Sequence, residues 1–288
     1  MTIRNILVPI RGDGKGEGVL DHALALAHRF NAHLMVVHCR PRPEDMMPLG
    51  VFVPSSFRQQ IAASATTFAD DEEGRVKTLF QDYCRRHHLT IVEDSLAAPK
   101  DRPSASWSEV TGKQAAVVAV RGRLADLIAV AQPDPDLDLG RNTLEAALLE
   151  TGRLVLLCPP TAVSSIGRHV AIGGDGHTEA TRAVAAAMPI LVTADQITVL
   201  SAATGDRMEL GPEDLQAYLA RHDARAAVRT FRAKATEVAQ GLLAAAGGAG
   251  ADALLIGAYG HSRRRQLIMG GVTQHITEHA GLPVLMSH

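Results

Sequence analysis

Two pairs of similar segments, with one copy in each half of the chain, limit the available folds more than any other feature. The segment ADLIAVA begins at Ala125 and ADALLIGA at Ala251, while ETGRLVLLCPP begins at Glu150 and EHAGLPVLMSH at Glu278. Such long-period similarity indicates copies of one supersecondary unit. Each copy contains a short apolar run without alternation, which is typical of a strand covered on both faces in a parallel sheet. The sequence therefore predicts two copies of one β-α-β unit.

The beginning of the chain shows the same unit. Residues 5–10 and 33–39 are apolar runs that predict buried strands, and residues 19–30 between them place apolar side chains at helical spacing. A strand, a helix and a second strand in this order form a right-handed crossover and build a parallel sheet. Further along, we expect a strand over residues 90–94 and a loop over residues 97–108, around the only tryptophan.

A linker between the two halves is also visible. Residues 159–167 (PPTAVSSIG) have linker composition, and the strand pattern starts again at residues 169–173. A chain of 288 residues is long enough for two domains of ordinary size, each with its own core. We therefore predict domains at residues 1–160 and 168–288.

Composition and charge exclude several classes of function. The net charge of −2 and the scarcity of aromatic residues argue against nucleic-acid binding. The longest apolar runs are well short of the roughly 20 residues that span a bilayer. The start of the chain, MTIRNILVPI, lacks the pattern of a signal peptide, so we expect a cytoplasmic protein.

Cys39, Cys84 and Cys158 are far apart and fit neither a disulfide framework nor a zinc site, so we expect reduced core residues and no metal.

Glycines follow the apolar run 253–256 in a pattern that suggests an anion site. Gly257 and Gly260 bracket a turn, and Gly270 and Gly271 open a segment that returns to helical spacing. The first N–H groups of a helix have no internal partner, and glycine has no Cβ to hold a phosphate away. The spacing is neither a Walker A loop nor the G-x-G-x-x-G dinucleotide pattern.

The spacing G-x2-G-x9-G of Gly257, Gly260 and Gly270 resembles the universal stress protein family, whose nucleotide-binding members place Ser or Thr directly after the third glycine. Here that position is Gly271, and Thr273 lies two residues further on, where it would face the same pocket. The tandem arrangement, the two GDG turns and the ending LPVLMSH resemble tandem members of this family over nearly the whole chain. The resemblance implies an α/β fold with two tandem doubly wound five-stranded parallel-sheet domains of the adenine nucleotide alpha hydrolase type. Ligands in such folds bind at the carboxyl ends of the strands.

The resemblance also implies an adenine nucleotide site in the second half, for ATP or AMP with or without magnesium. Asp175 would lie near adenine and ribose, Ser201 would frame the base with its backbone, and His261 would reach the phosphate. Two alternatives stay open: Asp175 also suits a helix N-cap or an Asx turn, and the glycines also suit tight turns and close helix packing. The full predicted set is Gly174, Asp175, Ser201, Gly257, Gly260, His261, Gly270, Gly271, Val272 and Thr273.

The first half carries QPDPD at residues 132–136 in place of the glycines, so it is expected to be degenerate, with Asp13 in a turn or cap. Two functions fit the sequence. The first is a nucleotide-binding stress-response protein in which the ligand switches conformation or partners; without an evident general base, any ATPase activity would be slow. The second is a ligand-free scaffold that acts through contacts with other proteins. A homodimer is a further expectation.

Overall fold

The computed structural model describes residues 2–40, 42, 55–93, 95–136, 139–174, 176–203, 210–260 and 271–288. Strands and helices alternate along the described chain. The first half contains β1 (Asn5–Ile10), α1 (Gly16–Phe30), β2 (His33–Arg40), α2 (Ser55–Arg86), β3 (Thr90–Ile91), β4 (Ser104–Thr111), α3 (Gln114–Arg121), β5 (Leu127–Ala131), α4 (Arg141–Glu150) and β6 (Leu154–Cys158). The second half contains β7 (His169–Gly173), α5 (Thr178–Leu191), β8 (Gln196–Ala202), α6 (Pro212–Ala220), β9 (Ala226–Phe231), α7 (Val238–Gly248), β10 (Ala253–Gly257), α8 (Gly271–His279) and β11 (Val284–Ser287).

All these strands belong to one sheet, with the order β3-β4-β2-β1-β5-β6-β11-β10-β7-β8-β9. Pairing is parallel within each half, whereas β6 and β11 pair antiparallel where the halves meet. The mostly parallel α/β fold with two tandem units is therefore confirmed. The first half differs from the prediction of five strands, because the two-residue edge strand β3 gives it six.

Strand β4 corrects the prediction of a loop over residues 97–108. It runs from Ser104 to Thr111 and pairs with β2 along its full length. Its sequence is too polar to be recognised as a buried strand, because hydrogen bonds replace apolar contacts. The His33 ring nitrogens lie 2.8 Å from Ser104 Oγ and 2.9 Å from Ser106 Oγ. Trp107, which was expected in the loop, packs its ring 5.3 Å from that of Phe80.

Helices cover both faces of the sheet. Apolar residues of α1, α2, α5 and α6 form the core on one face, and those of α3, α4, α7 and α8 form the core on the other. Because the first two helices of each half cover one face and the last two cover the other, a crevice forms at the carboxyl ends of the strands where the strand order reverses. None of the described helices is long and apolar enough to cross a membrane.

An aspartate at the start of the repeated segment anchors the first strand of each half. Asp126 Oδ2 accepts hydrogen bonds from the backbone N–H groups of Arg4 and Asn5 at 2.8 and 2.9 Å. In the second half, the Asp252 carboxylate accepts hydrogen bonds from three successive N–H groups, those of residues 167–169, at 2.9 to 3.1 Å. The sequence repeat is thus a repeat of specific contacts as well as of strand pattern.

One side chain of α1 ties the first half to the second. The guanidinium of Arg29 donates to the carbonyl oxygens of Ile166, in the linker, and Ile190, in α5, at 3.0 and 3.1 Å. It also donates to Thr193 Oγ1 at 2.7 Å. Hydrogen bonds from a charged group are about twice as strong as neutral ones, so Arg29 stabilises the linker against α5.

We predict that the free energy of unfolding decreases as the pH falls below about 6.5, the ordinary pKa of histidine. Burial lowers the pKa of both His22 and His33 in the folded protein. Below about pH 6.5 the unfolded chain therefore binds more protons than the folded one, and protonation favours unfolding. Above that pH both states are neutral, and the stabilising contribution is complete. Urea titrations between about pH 5 and pH 8 measure the change.

The variant His22→Gln should reduce this pH dependence, because it removes a ring that is almost fully buried in α1. His28→Gln is the matched control, since His28 is an exposed residue of the same helix. Equal pH slopes for wild type and His22→Gln would contradict the assignment.

Candidate functional site

The carboxyl ends of three neighbouring strands bring predicted site residues together. Gly173 of β7 pairs with Leu200 of β8, which places Gly174 beside Ser201 at the ends of these strands. The N–H of Gly174 donates to the carbonyl oxygen of Leu200 at 3.1 Å. On the other side, β7 pairs with β10, which ends at Gly257. Backbone from three strands therefore surrounds this crevice of the second half.

Helix α8 begins beside the same crevice. Gly271 and Val272 are its exposed first residues. Thr273 is buried, and its hydroxyl oxygen accepts a hydrogen bond from the N–H of Tyr259 at 3.5 Å. Tyr259 lies in the turn between Gly257 and Gly260 and has a φ of 68°, in the left-handed region. Its hydrogen bond to Thr273 links this turn to α8. The hydroxyl that was predicted to face the pocket thus contacts the glycine turn, and its role toward a ligand stays a prediction.

Three residues of the predicted set, Asp175, His261 and Gly270, lie outside the described residues, so their roles stay predictions. The structure thus places Gly174, Ser201 and Gly257 at adjacent strand ends, and Gly271, Val272 and Thr273 at the start of the adjoining helix. Gly260 ends the turn between them.

Gly257 has a packing reason to be glycine. A Cβ at this position would overlap the backbone nitrogen of Ala180 and lie 2.6 Å from the carbonyl carbon of Glu179. The first turn of α5 therefore rests directly on the end of β10. Close helix packing, one of the two alternatives from the sequence, explains this glycine without a ligand.

Gly260 lies beside a carboxylate that the sequence did not reveal as part of the site. A Cβ on Gly260 would lie 3.1 Å from Glu179 Oε2 and 4.0 Å from the Cβ of His177. Glu179 belongs to the first turn of α5, where a negative charge is favourable for the helix dipole. From the sequence alone Glu179 is an ordinary residue of a helix face, since only the packing of α5 on Gly257 brings it to the glycine turn.

The matching crevice of the first half is almost closed, with a volume of about 20 Å³. It lies between the ends of β1 and β5 and the start of α4. Arg11 Nη2 donates to Thr143 Oγ1 at 3.1 Å, and Lys15 Nζ donates to the carbonyl oxygen of Gln132 at 3.2 Å. Lys15 also pairs with Asp134 at 3.5 Å. The protein's own cations thus occupy the place at the helix N-terminus where an anion would bind.

The last glycines of the two GDG segments have similar backbone conformations. Gly14 and Gly176, their last residues, have φ values of 79° and 71°, which favour glycine. In the first turn, Asp13 Oδ1 accepts a hydrogen bond from the N–H of Lys15 at 3.0 Å. This bond to the residue two positions on is the Asx turn that was one of the expectations for Asp13.

The cysteines offer no reactive thiolate. Burial raises the pKa of Cys39 to about 11 and that of Cys84 to about 12, so both stay thiols at neutral pH. Within the part of the chain that the structure describes, no three His, Cys, Asp or Glu side chains are grouped so that they could hold a metal ion.

Comparison with known proteins matches this architecture to one family. The family model described as "Universal stress protein family" matches residues 2–139 and again residues 168–288. The chain therefore belongs to the universal stress protein family and carries two tandem copies of its domain. Among curated proteins, no sequence matches significantly.

Two solved structures that match nearly the whole chain share its fold at low sequence identity. A universal stress protein from Archaeoglobus fulgidus is 12% identical, with 99% of this chain and 96% of that chain covered and a TM-score of 0.69. A Pseudomonas aeruginosa protein described as a universal stress protein is 16% identical, with coverages of 99% and 93% and a TM-score of 0.58. A universal stress protein in complex with cAMP is 14% identical, with coverages of 56% and 100% and a TM-score of 0.29.

We predict that Gly257→Ala lowers the free energy of unfolding by about 1–3 kcal/mol, as overpacking typically does. The added methyl group would force α5 away from β10. Gly271→Ala is the matched control, because nothing lies within 4 Å of a Cβ at that position, and it should change stability by less than about 1 kcal/mol. Urea unfolding measures both variants. Equal stability of the two would show that α5 does not rest on Gly257.

Proposed function

We propose that the second half binds an adenine nucleotide, ATP or AMP, at the carboxyl ends of β7, β8 and β10. Binding would act as a stress-response switch of conformation or of protein partners, without a catalytic role. In this proposal residues 1–160 form a degenerate domain, and residues 168–288 form the ligand-binding domain.

The observation that carries this proposal is the first turn of α8. It begins at the exposed Gly271, has nothing within 4 Å of a Cβ position there, and contains no acidic residue. Its N–H groups lack partners within the helix and carry the positive end of the dipole. A phosphate group fits such a turn, because glycine lets it approach the backbone closely.

A difference in charge between the N-termini of α5 and α8 also supports a phosphate position at the start of α8. The first turn of α5 already carries the carboxylate of Glu179, whereas the first turn of α8 carries no negative charge of its own. A nucleotide phosphate is therefore better placed at Gly271 and Val272 than beside Gly260. Gly174 and Ser201, at the ends of β7 and β8, then border the space for the nucleoside.

The closed crevice of the first half supports one nucleotide for each chain. A volume of about 20 Å³ is far below the several hundred that small-molecule sites usually have. Arg11 and Lys15 would have to leave their partners, Thr143 and Gln132, before a ligand entered.

The experiment is titration calorimetry of the full chain with ATP and with AMP at millimolar magnesium. We expect saturable binding of one nucleotide per chain, with Gly260→Asp abolishing it, because the new carboxylate would stand in the glycine turn and repel phosphate. Mass spectrometry of small molecules released from the purified protein gives an independent readout. Absence of nucleotide in both measurements, from a folded protein, would overturn the proposal.

The control for Gly260→Asp is Gly281→Asp, which adds the same charge where nothing lies within 4 Å of a Cβ. It should leave the nucleotide affinity unchanged. Gly271→Ser provides the opposite test, because it adds a hydroxyl at the family's Ser or Thr position in open space. One additional hydrogen bond corresponds to an affinity gain of about twofold to tenfold.

Glu179 predicts a dependence on the charge of the ligand. Glu179→Gln should increase the affinity for ATP without magnesium by up to about fivefold, because removing a negative charge from the neighbouring turn relieves at most about 1 kcal/mol of repulsion in a solvated site. The gain should be smaller with magnesium, which neutralises part of the phosphate charge. Glu213→Gln is the matched control, since Glu213 lies in the first turn of α6 and is exposed. Equal gains in both variants would show that Glu179 has no local effect.

The scaffold function remains the second candidate, and the closed first-half crevice favours it. A half whose crevice holds its own cations is suited to presenting a surface, not to binding a ligand. This function predicts a folded protein without nucleotide affinity in either half, whose homodimer or complexes with other proteins are unaffected by Gly260→Asp.

A further inference from the structure

A second cavity in the second half lies on the other side of α5 from the glycine turn. Its volume is about 340 Å³, and it lies between the first two turns of α5, the helix α6 and the end of β7. Ala180 lines it, while the backbone of the same residue rests on Gly257. The first turn of α5 therefore separates this cavity from the glycine turn, and the cavity is distinct from the proposed phosphate position.

The lining of the cavity is apolar. Ile172, Val184 and Leu215 contribute side chains, and Gly174 leaves room because it has none. The polar side chains on its wall are those of Thr181, Asp214 and Tyr218, and the first two already have partners. The hydroxyl of Thr181 donates to the carbonyl oxygen of Thr178 at 2.8 Å, and the Asp214 carboxylate accepts the N–H of Gly211 at 2.8 Å. These two fixed contacts leave little for a polar ligand to bind.

The charge of the cavity wall further limits the class of ligand. Asp214 is the one charged residue among the described residues of the wall, and its negative charge repels phosphates and carboxylates. An uncharged apolar molecule avoids this repulsion and gains free energy from each methylene group that it buries. The volume lies at the lower end of the range for small-molecule sites, which suits a small ligand.

Among the described residues of the first half, a side chain fills the corresponding position. There, the side chain of Glu72 from α2 covers the GDG turn: its Oε1 accepts the N–H of Gly12 at 3.0 Å, and its Cγ lies 2.7 Å from a Cβ position on Gly12. Helix α2 has 32 residues, whereas α6 has nine. In the second half, Gly174 keeps ordinary distances of 3.4 and 3.5 Å to Val199 and Leu215. Within the part of the chain that the structure describes, the position beside the GDG turn is therefore filled in the first half and open in the second.

We propose that this cavity is a binding site for an uncharged apolar small molecule, such as a medium-chain aliphatic alcohol. The cavity shares Gly174 with the proposed space for the nucleoside, but neither Gly257 nor Gly260 lines it, so alkanols and nucleotides can be titrated as separate ligands. The inference follows from the combination of volume and apolar lining.

The test uses the full chain and the series of 1-alkanols from butanol to octanol as probes, with affinity measured by calorimetry. We expect saturable binding at one site and an increase of about fourfold for each added methylene, corresponding to about 0.8 kcal/mol, until the cavity is filled. The charged analogues octanoate and octylamine should bind more weakly than octanol. Absence of saturable binding by any alkanol would overturn the proposal, as would a preference for octanoate.

Val184→Phe tests the location, because the larger side chain would fill the cavity from α5. The variant should lose at least about tenfold in octanol affinity while its thermal midpoint stays equal or rises, since filling an apolar cavity is favourable. Val192→Phe is the matched control, as Val192 is an exposed residue at the end of the same helix. Leu215→Phe, from the α6 side, serves if Val184→Phe does not fold. Unchanged octanol affinity in a folded cavity variant would overturn the assignment of the site.

Discussion

The antiparallel pairing of β6 with β11 is the contact on which the rest of this structure depends. Val284 pairs with Leu157, Leu285 with Leu156 and Met286 with Val155, and these pairs join two parallel sheets into one. Because the strands of each half are parallel to one another, this single reversal points the carboxyl ends of the two halves toward opposite edges of the sheet. The crevices at the carboxyl ends of the two halves therefore open at opposite edges of the sheet.

The two copies share the contacts and turns at their first strands, but the charged side chains at their crevices have opposite signs. Asp126 and Asp252 fasten the first strand of each half, and Gly14 and Gly176 turn the backbone in the same way. The first half places cationic side chains at its helix N-terminus and is nearly filled. The second half leaves the first turn of α8 exposed and places a carboxylate, that of Glu179, beside the neighbouring turn. The shared strand ends are held by aspartate side chains that bind backbone N–H groups, whereas the charge of each crevice is set by a few other side chains.

The sequence predicts most of this fold because its signals are local. Apolar runs, helical spacing and the repeated segments identify the buried strands, the helices between them and the tandem arrangement. Strand β4 is missed because its serines are satisfied by His33, a partner distant in the chain. The packing role of Gly257 and the position of Glu179 are missed for the same reason, since both depend on where α5 lies on β10. The candidate site is therefore predictable in its glycines and their strand ends, but its charge environment arises only from tertiary packing.

The position of β6 and β11 at the centre of the sheet also bears on why the two copies share one chain. Every residue of β6 and of β11 is buried, and most are strongly apolar. In a half produced on its own, one of these strands would be an exposed apolar edge strand. Its unpaired N–H and C=O groups could pair with strands of other molecules and cause aggregation. Covalent linkage gives each edge a partner at high effective concentration as soon as both copies have folded. Fusion of the two copies thus covers both apolar strands within one molecule.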